Sequence, residues 1–463
     1  MNFKPIKLSE EKISSPEKNC EYYYFAARES CLMRDEVYNR YGLNHGVKWI
    51  LYLPSGQIWE YYHDKKSFIT FLKKLALKMQ RQWPTHLLKY TKTRKQLIIN
   101  AQKLSAATKK NNRKEILNAY TKYIQCAYTF SEYIWSPWAV ISVMEPEFYK
   151  KFPQADIIGT LDQPIEFLKM QHDSIKLTPT QLEKKYSYLN IYNPFDKPYS
   201  KPDLKCINQK ITQNNVEDQL KRLTKNKIEF KMFVNTLPKK WKLKAEIIHQ
   251  YAFLKTDRID AWKISMFCLN DLCKYLTKIN PGLTIKNASF LSIHEIITIL
   301  KGRPNINIKK IKTRSKNAAV YLLTPQTEVV SYSPTEIKLQ KKLITNQNKT
   351  TREITGVTAC RGVAQGRAVI INHSEDIKKI KKGNIFVARY TFPSFTPFMK
   401  ISAAIVTDEG GLTSHAAIIA RELNIPCIVG SKIGTKLLTD GDLLKVDANA
   451  GVVKILKKKR SKI

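Results

Sequence analysis

The chain has 463 residues, 43% of them hydrophobic and 10% aromatic, which excludes a disordered protein and leaves room for two or three domains with cores of their own. No run of about 18 apolar residues occurs, which argues against a membrane span; the start, MNFKPIKLSEEKISS, lacks the apolar stretch of a secretory signal, so a cytoplasmic protein is expected. The formal net charge of +40 raises nucleic-acid binding, but the lysines are spread among Asn and Ile along the whole chain as a solvated surface, and nucleic acid is not an expected partner.

In chain order, residues 1–20 are polar and expected to be loose. GVKWILYLPSGQIWEYYH, residues 46–63, sets two aromatic-aliphatic runs around Pro-Ser-Gly and predicts a β-hairpin. From Lys65 the period changes. Phe68, Phe71, Leu72, Leu75 and Met79 fall on one helical face. Two further long helical stretches follow, up to Trp135, with short polar joints that imply a helical bundle. The aromatic residues from Tyr120 to Trp135 are read as packing between helices. Helix dominates again to about Thr324, most clearly in the stretch from Lys239 to Ile279. SIHEIITIL predicts a short helix with Ser292 as its cap. AAVYLLT and TEVVSY read as two short strands. The whole of 21–343 is therefore expected to be mainly helical, with an early hairpin.

Residues 344–353 are polar and breaker-rich, a linker. The glycine distribution changes there: ten of the 16 lie from Gly356 onward. The part before it shows no glycine-rich loop of the kind that lets backbone approach a nucleotide's phosphates. After the linker, short apolar runs (GRAVII, NIFVAR, AAIVTDE, PCIVG, LLKVDA, GVVKIL) predict strands around one strong helix, Ser414 to Leu423. This β-rich domain covers 354–456 and is followed by a basic tail, 457–463. The 8 cysteines include no C-x-x-C pair, so neither a zinc site nor a disulfide framework is expected.

The helix has an unusual entrance. Asp408 and Glu409 end a strand, Gly410 and Gly411 permit a sharp turn, Thr413 or Ser414 can cap the helix, and His415 falls in its first turn. Ala416, Ala417, Ile418, Ile419 and Ala420 pack it on the sheet; Asn424 and Pro426 stop it. A helix N-terminus offers unpaired N–H groups and partial positive charge. That field suits a phosphate and disfavours imidazolium, so His415 is expected neutral and nucleophilic. Thr413 can add a hydroxyl to a bound phosphate, and Arg421, nearly two turns on, offers charge or covers the helix surface. Asp408 and Glu409 either handle charge near His415 or cap the turn. Elsewhere, His249 and His294 read as buried helix residues, Arg258 as a helix-surface ion pair, and His172 has no partner motif.

DEGGLTSHAAIIARELNIPCIVG resembles the phosphohistidine signature of the phosphoenolpyruvate-utilising enzymes, such as phosphoenolpyruvate synthase and pyruvate phosphate dikinase. ACRGVAQGRAVII, GNIFVARYTFPSFTPFMKISAAIVTDEGG and DGDLLKVDANAGVVKIL resemble the rest of that family's mobile domain. QYAFLKTDRIDAWKISMFCLNDL and LEKKYSYLNIYNPF are similar, more weakly, to its helical connector. The resemblance implies a multidomain chain: a mostly α-helical N-terminal region and a C-terminal β/β/α swivelling phosphohistidine domain. It implies that His415 is the phosphorylated residue, with Gly410, Gly411, Thr413, Ser414 and Arg421 in support. No ATP-grasp or barrel domain is evident. Mg2+ and ATP, or phosphoenolpyruvate, are accordingly expected at a donor protein acting in trans, with a small-molecule acceptor and no tightly bound cofactor or metal on this chain. Two alternatives stand beside this: a small-molecule or antibiotic phosphotransferase with its acceptor site in the helical part, and a non-catalytic binding or regulatory protein that keeps the swivelling fold.

Overall fold

The structure is a computed structural model that describes residues 22–28, 31–47, 50–55, 58–153, 155–209, 213–302, 306–315, 321–323, 330–331, 353–371, 374–391, 395–412 and 414–459. The chain divides into two units. The first comprises residues 1–140, 161–232 and 253–344; the second comprises 141–160, 233–252 and 345–463. The second unit thus joins the C-terminal part of the chain with two segments from its middle; the linker expected at 344–353 lies, but for its last residue, outside the described residues.

The first unit is helical with one small sheet. The helices Trp83–Lys109 and Arg113–Ala139 form an antiparallel pair. Asn111, in the left-handed region at φ 58, turns the chain. Asn112 caps the second helix, its side-chain oxygen accepting from Lys114 and Glu115 N–H groups at 3.0 and 3.2 Å. Apolar spacing decides which faces meet: Leu97, Ala101 and Leu104 on one helix, Ile116, Tyr120, Tyr123, Ala127 and Phe130 on the other, are fully buried. Of the aromatic run from Tyr120 to Trp135, Tyr120, Tyr123, Phe130, Tyr133 and Trp135 are core, as expected, and Tyr128 is half-buried. Ser292 caps the helix Ile293–Leu300 in a reciprocal capping box with Glu295.

The sheet of this unit is antiparallel, in the order β1 (Tyr22–Arg28), β3 (Ile58–Asp64), β2 (Ile50–Ser55), β4 (Tyr321–Leu323), β5 (Val330–Ser331). The predicted hairpin is β2–β3, paired from Ile50↔His63 to Ser55↔Ile58. The two late strands are present and β4 completes the sheet beside β2.

The second unit holds an eight-stranded sheet in the order β6-β13-β12-β8-β9-β10-β11-β7. Its strands are β6 (Glu353–Thr355), β7 (Val357–Cys360), β8 (Val363–Ile371), β9 (Ile385–Ala388), β10 (Ala404–Thr407), β11 (Cys427–Val429), β12 (Leu443–Asp447) and β13 (Val452–Lys457). The strands β8, β9, β10 and β11 run parallel; β7 and the β12–β13–β6 group pair antiparallel at the flanks. Every residue of β9 and β10 is buried, the signature of a parallel sheet covered on both faces. One face packs Phe386, Ile405 and Cys427 against Ala416, Ala417 and Ala420 of the helix His415–Leu423. The other packs Val387, Val406 and Ile428 against Leu438 and Val446. Short helices at Thr396–Lys400 and Gly434–Leu437 add to the single helix expected.

Candidate active site

The site begins where β10 leaves the sheet. Backbone bonds from Asp408 N–H to Ala388 and from Glu409 N–H to Arg389, at 3.0 and 2.7 Å, extend its pairing with the β9 side. Asp408 is buried. Its carboxylate accepts from Ser431 Oγ at 2.8 Å and from Thr435 N–H and Oγ1. Burial pushes the Asp408 pKa up; the hydroxyl and N–H bonds and the Arg389 charge oppose that shift. The carboxylate thus clamps the turn to the loop after β11, and of the two readings of Asp408 the geometry matches the turn-holding one. Gly434 admits it: a Cβ there would stand 2.7 Å from Asp408 Oδ1.

Gly410 has φ +111, and a side chain on it would meet Ser414 Cβ at 2.8 Å. Only glycine lets the chain double back so tightly onto the residue that starts the helix. Gly411 is also required, for a different reason. It lies against Ile141 and Glu145, at the π-helical turn Val140–Met144, and its Cβ would fall 2.9 Å from Ile141 Cγ2 and 2.8 Å from Glu145 Oε2. Ser414 is the cap, its Oγ accepting from Ala417 N–H at 3.3 Å, so the helix proper starts at His415. At the other end Asn424 adopts the left-handed conformation, φ 52, and closes the helix as anticipated. Arg421 reaches back along the helix and donates from Nη2 to the Leu412 carbonyl at 2.6 Å; it holds the turn that carries the histidine. Thr413 lies outside the described residues.

His415 is half-buried in the first turn. Its Nδ1 stands 2.8 Å from Thr391 Oγ1. When the ring is neutral and Nδ1–H donates to the threonine, the lone pair sits on Nε2. Thr391 is 24 residues away in sequence and was not singled out by sequence reasoning; its only signal is a hydroxyl within the RYTFPSF segment. His172, Arg258 and His294 belong to the first unit and take no part. Arg258 is buried, with 9% of its surface exposed, not an exposed helix-surface residue; His294 is exposed, not packed. Helical spacing alone does not tell the inner from the outer face of an amphipathic stretch. His249 is buried as expected, its Nδ1 3.2 Å from the Ile158 carbonyl.

Residues 380–451 match the family described as PEP-utilising enzyme, mobile domain. This stretch is a PEP-utilising mobile domain. The chain is 52% identical over 101 residues to the phosphoenolpyruvate synthase of Aeropyrum pernix, covering 22% of this chain and 12% of that protein. It is 41% identical over 143 residues to the probable phosphoenolpyruvate synthase of Pyrococcus abyssi, 28% of this chain and 18% of that one. It is also 34% identical over 139 residues to an uncharacterized phosphotransferase of Bacillus subtilis, 30% of this chain and 16% of that one. The match therefore spans less than a fifth of the length of each of these relatives. Among the described residues, no helix is long and apolar enough to cross a membrane.

Proposed function

We propose that the mobile domain carries a phosphoryl group on His415 and relays it between a donor and an acceptor that sit on other domains or chains. The observation that carries this reading is the pairing of His415 Nδ1 with Thr391 at the entrance of a capped helix. In the first step the Nε2 lone pair attacks the donor's terminal phosphorus. The P–N bond forms, the P–O bond to the donor breaks, and the electron pair leaves with the donor oxygen. The Nδ1 proton stays on the ring, held by Thr391, and the helix N-terminus stabilises the added negative charge. In the second step an acceptor oxygen attacks phosphorus and the P–N electron pair returns to Nε2. Splitting one transfer into two such displacements is the advantage of a covalent carrier. Gly410, Gly411, Ser414 and Arg421 act by fixing the turn, and positioning is most of what phosphoryl transfer asks of a protein. Mg2+ belongs in this reading with the donor nucleotide, whose phosphate oxygens suit it. ATP or phosphoenolpyruvate is the donor, bound by an ATP-grasp-type or other partner, and the acceptor is a small molecule.

The test is intact-mass spectrometry at alkaline pH after incubation with ATP-Mg2+ or phosphoenolpyruvate, with and without an ATP-grasp partner. An acid-labile phosphate adduct that disappears in His415→Ala is expected. Absence of an adduct with every donor, including the chemical donor phosphoramidate, would sink the relay and favour a binding role.

A further inference from the structure

The strands β11 and β7 are an antiparallel pair, with β7 at the edge of the sheet. Cys427 and Cys360 face each other in that pairing as direct partners. Residues opposed in this way have Cα atoms roughly 4.5–5.5 Å apart, inside the roughly 4.4–6.8 Å that a disulfide spans. Both are present as thiols. Cys427 is fully buried, whereas Cys360 is half-buried on the edge strand. Burial pushes the Cys427 thiol up, and a charge on Cys360 would push it further, so the two sulfurs feel each other. The register also slips by one residue immediately beyond the pair, between Cys427 and Ile428, a bulge at which the ladder is interrupted and the strand bends.

The pair lies under the histidine helix. Cys427 Sγ is 4.0 Å from the carbonyl of Ala416, the residue that follows His415. We propose that Cys360 and Cys427 are a redox-modified pair: a peroxide closes them into a cross-strand disulfide that draws Cys427 away from Ala416 and slows chemistry at His415. The step balances with hydrogen peroxide as the oxidant. The Cys360 thiolate attacks one peroxide oxygen, the O–O bond breaks, and hydroxide leaves, giving the sulfenic acid. The Cys427 sulfur then attacks the Cys360 sulfur; the S–S bond forms and the sulfenic hydroxyl leaves as water with the Cys427 proton. Two thiols and one peroxide become one disulfide and two waters. A reduced thiol reverses it. This pair stands whether or not His415 is ever phosphorylated.

The experiment uses the full chain treated with hydrogen peroxide, then digested without reduction. The expected product is a single peptide pair linking Cys360 to Cys427, with a loss of two hydrogens in the intact mass. It should be absent in Cys360→Ser and retained in Cys126→Ser, with matching thermal melts as the control for folding. His415 reactivity is read by its acylation rate with diethyl pyrocarbonate and by its phosphorylation rate with phosphoramidate. Both are expected to fall on the order of two- to fivefold on oxidation, the scale of one weak S–H···O contact, to recover with dithiothreitol, and to stay constant in Cys360→Ser. Oxygen added to Cys360 without a link, or a link to another cysteine, overturns the pair. A correct disulfide with unchanged acylation overturns its effect on His415. Failure of phosphoramidate alone, with acylation slowed, counts against the relay and not against the pair.

Discussion

The helical unit and the histidine turn both bury carboxylates, but they satisfy them in opposite ways. In the helical unit charge meets charge across helices. Arg94 grips Asp257 with Nη2 at 2.9 Å and Nε at 2.8 Å, and Tyr90 donates to the same carboxylate. Glu132 is held by Lys78 at 2.6 Å and Tyr41 at 3.0 Å, with His86 Nδ1 at 3.5 Å. Burial alone would raise Glu132, but the His86 and Lys78 bonds outweigh it and bring its pKa down to about 2. At the turn, Asp408 takes hydroxyls and one backbone N–H, from Ser431 in the loop after β11 and from Thr435 in the short helix that follows it. Ion pairs between helices bear on which helix face meets which. Dipoles gathered by a single carboxylate fix one loop's backbone, which is what a histidine needs in order to be presented the same way each time.

The largest expected effect lies in the helical unit. Asp257→Ala leaves Arg94 and Tyr90 buried around a missing anion and should cost about 3–5 kcal/mol of unfolding free energy. His415 acylation in the folded fraction should not change. A loss below about 1 kcal/mol would show that the network is solvated and that the contrast drawn above is wrong.

Asp260 gives the second effect, and its sign is opposite to that of Glu132. Burial raises its pKa to about 6; Lys263, at 3.5 Å, pulls against this, while Glu166 and Asp257 push with it. A carboxyl with a folded pKa above its unfolded value near 3.9 binds its proton more tightly when folded. Its contribution therefore favours folding at low pH and is lost as pH rises from about 4 through 6. Asp260→Asn should remove that loss. Urea melts should show the variant gaining about 1–3 kcal/mol on the parent between pH 4 and pH 8. A difference that stays constant across this range refutes the assignment.

At the turn, Gly410→Ala forces a Cβ into the left-handed region and against Ser414. A cost of about 1–3 kcal/mol is expected, together with slower acylation of His415, because the strain falls on the capping residue itself. If stability drops and acylation does not, the turn is structural only.

These sites differ in how far they could be read from the residues alone. The turn is local: Gly-Gly, a capping serine and the apolar period after it lie within a dozen residues, so its geometry is written in neighbours along the chain. Asp408 is half legible. Its place before the turn is visible, but Ser431 and Thr435, which hold it, are brought in by the β10–β11 crossover. The Asp257 network is not legible, because Tyr90 and Arg94 come from a different helix and nothing in either segment names the other. The same holds for the segments 141–160 and 233–252, which fall within the stretch expected to be mainly helical and yet group with the C-terminal unit. A helical period says that a face is buried, not against what. Cys360 and Cys427 read as scattered cysteines until the sheet register sets them opposite each other.

The smallest expected effect is the most informative about mechanism. Thr391 lies after β9 and His415 opens a helix, and their 2.8 Å bond decides which ring nitrogen holds the proton. Thr391→Val keeps the shape and removes the partner. Losing one hydrogen bond of this kind is worth about 0.5–1.5 kcal/mol, which is roughly a two- to tenfold slower phosphorylation by phosphoramidate. Thr391→Ser restores a hydroxyl on the same Cβ and should recover most of the rate, whereas a residue that only fills space would be rescued by valine and not by serine. Stability should hardly distinguish the three proteins. The imidazole NMR signals supply the independent readout: in the parent the neutral ring should carry its proton on Nδ1, and in Thr391→Val the tautomers should mix. If the parent ring already carries its proton on Nε2, then the hydroxyl donates to Nδ1, the lone pair is on the wrong side of the ring, and the relay needs a different nucleophilic atom.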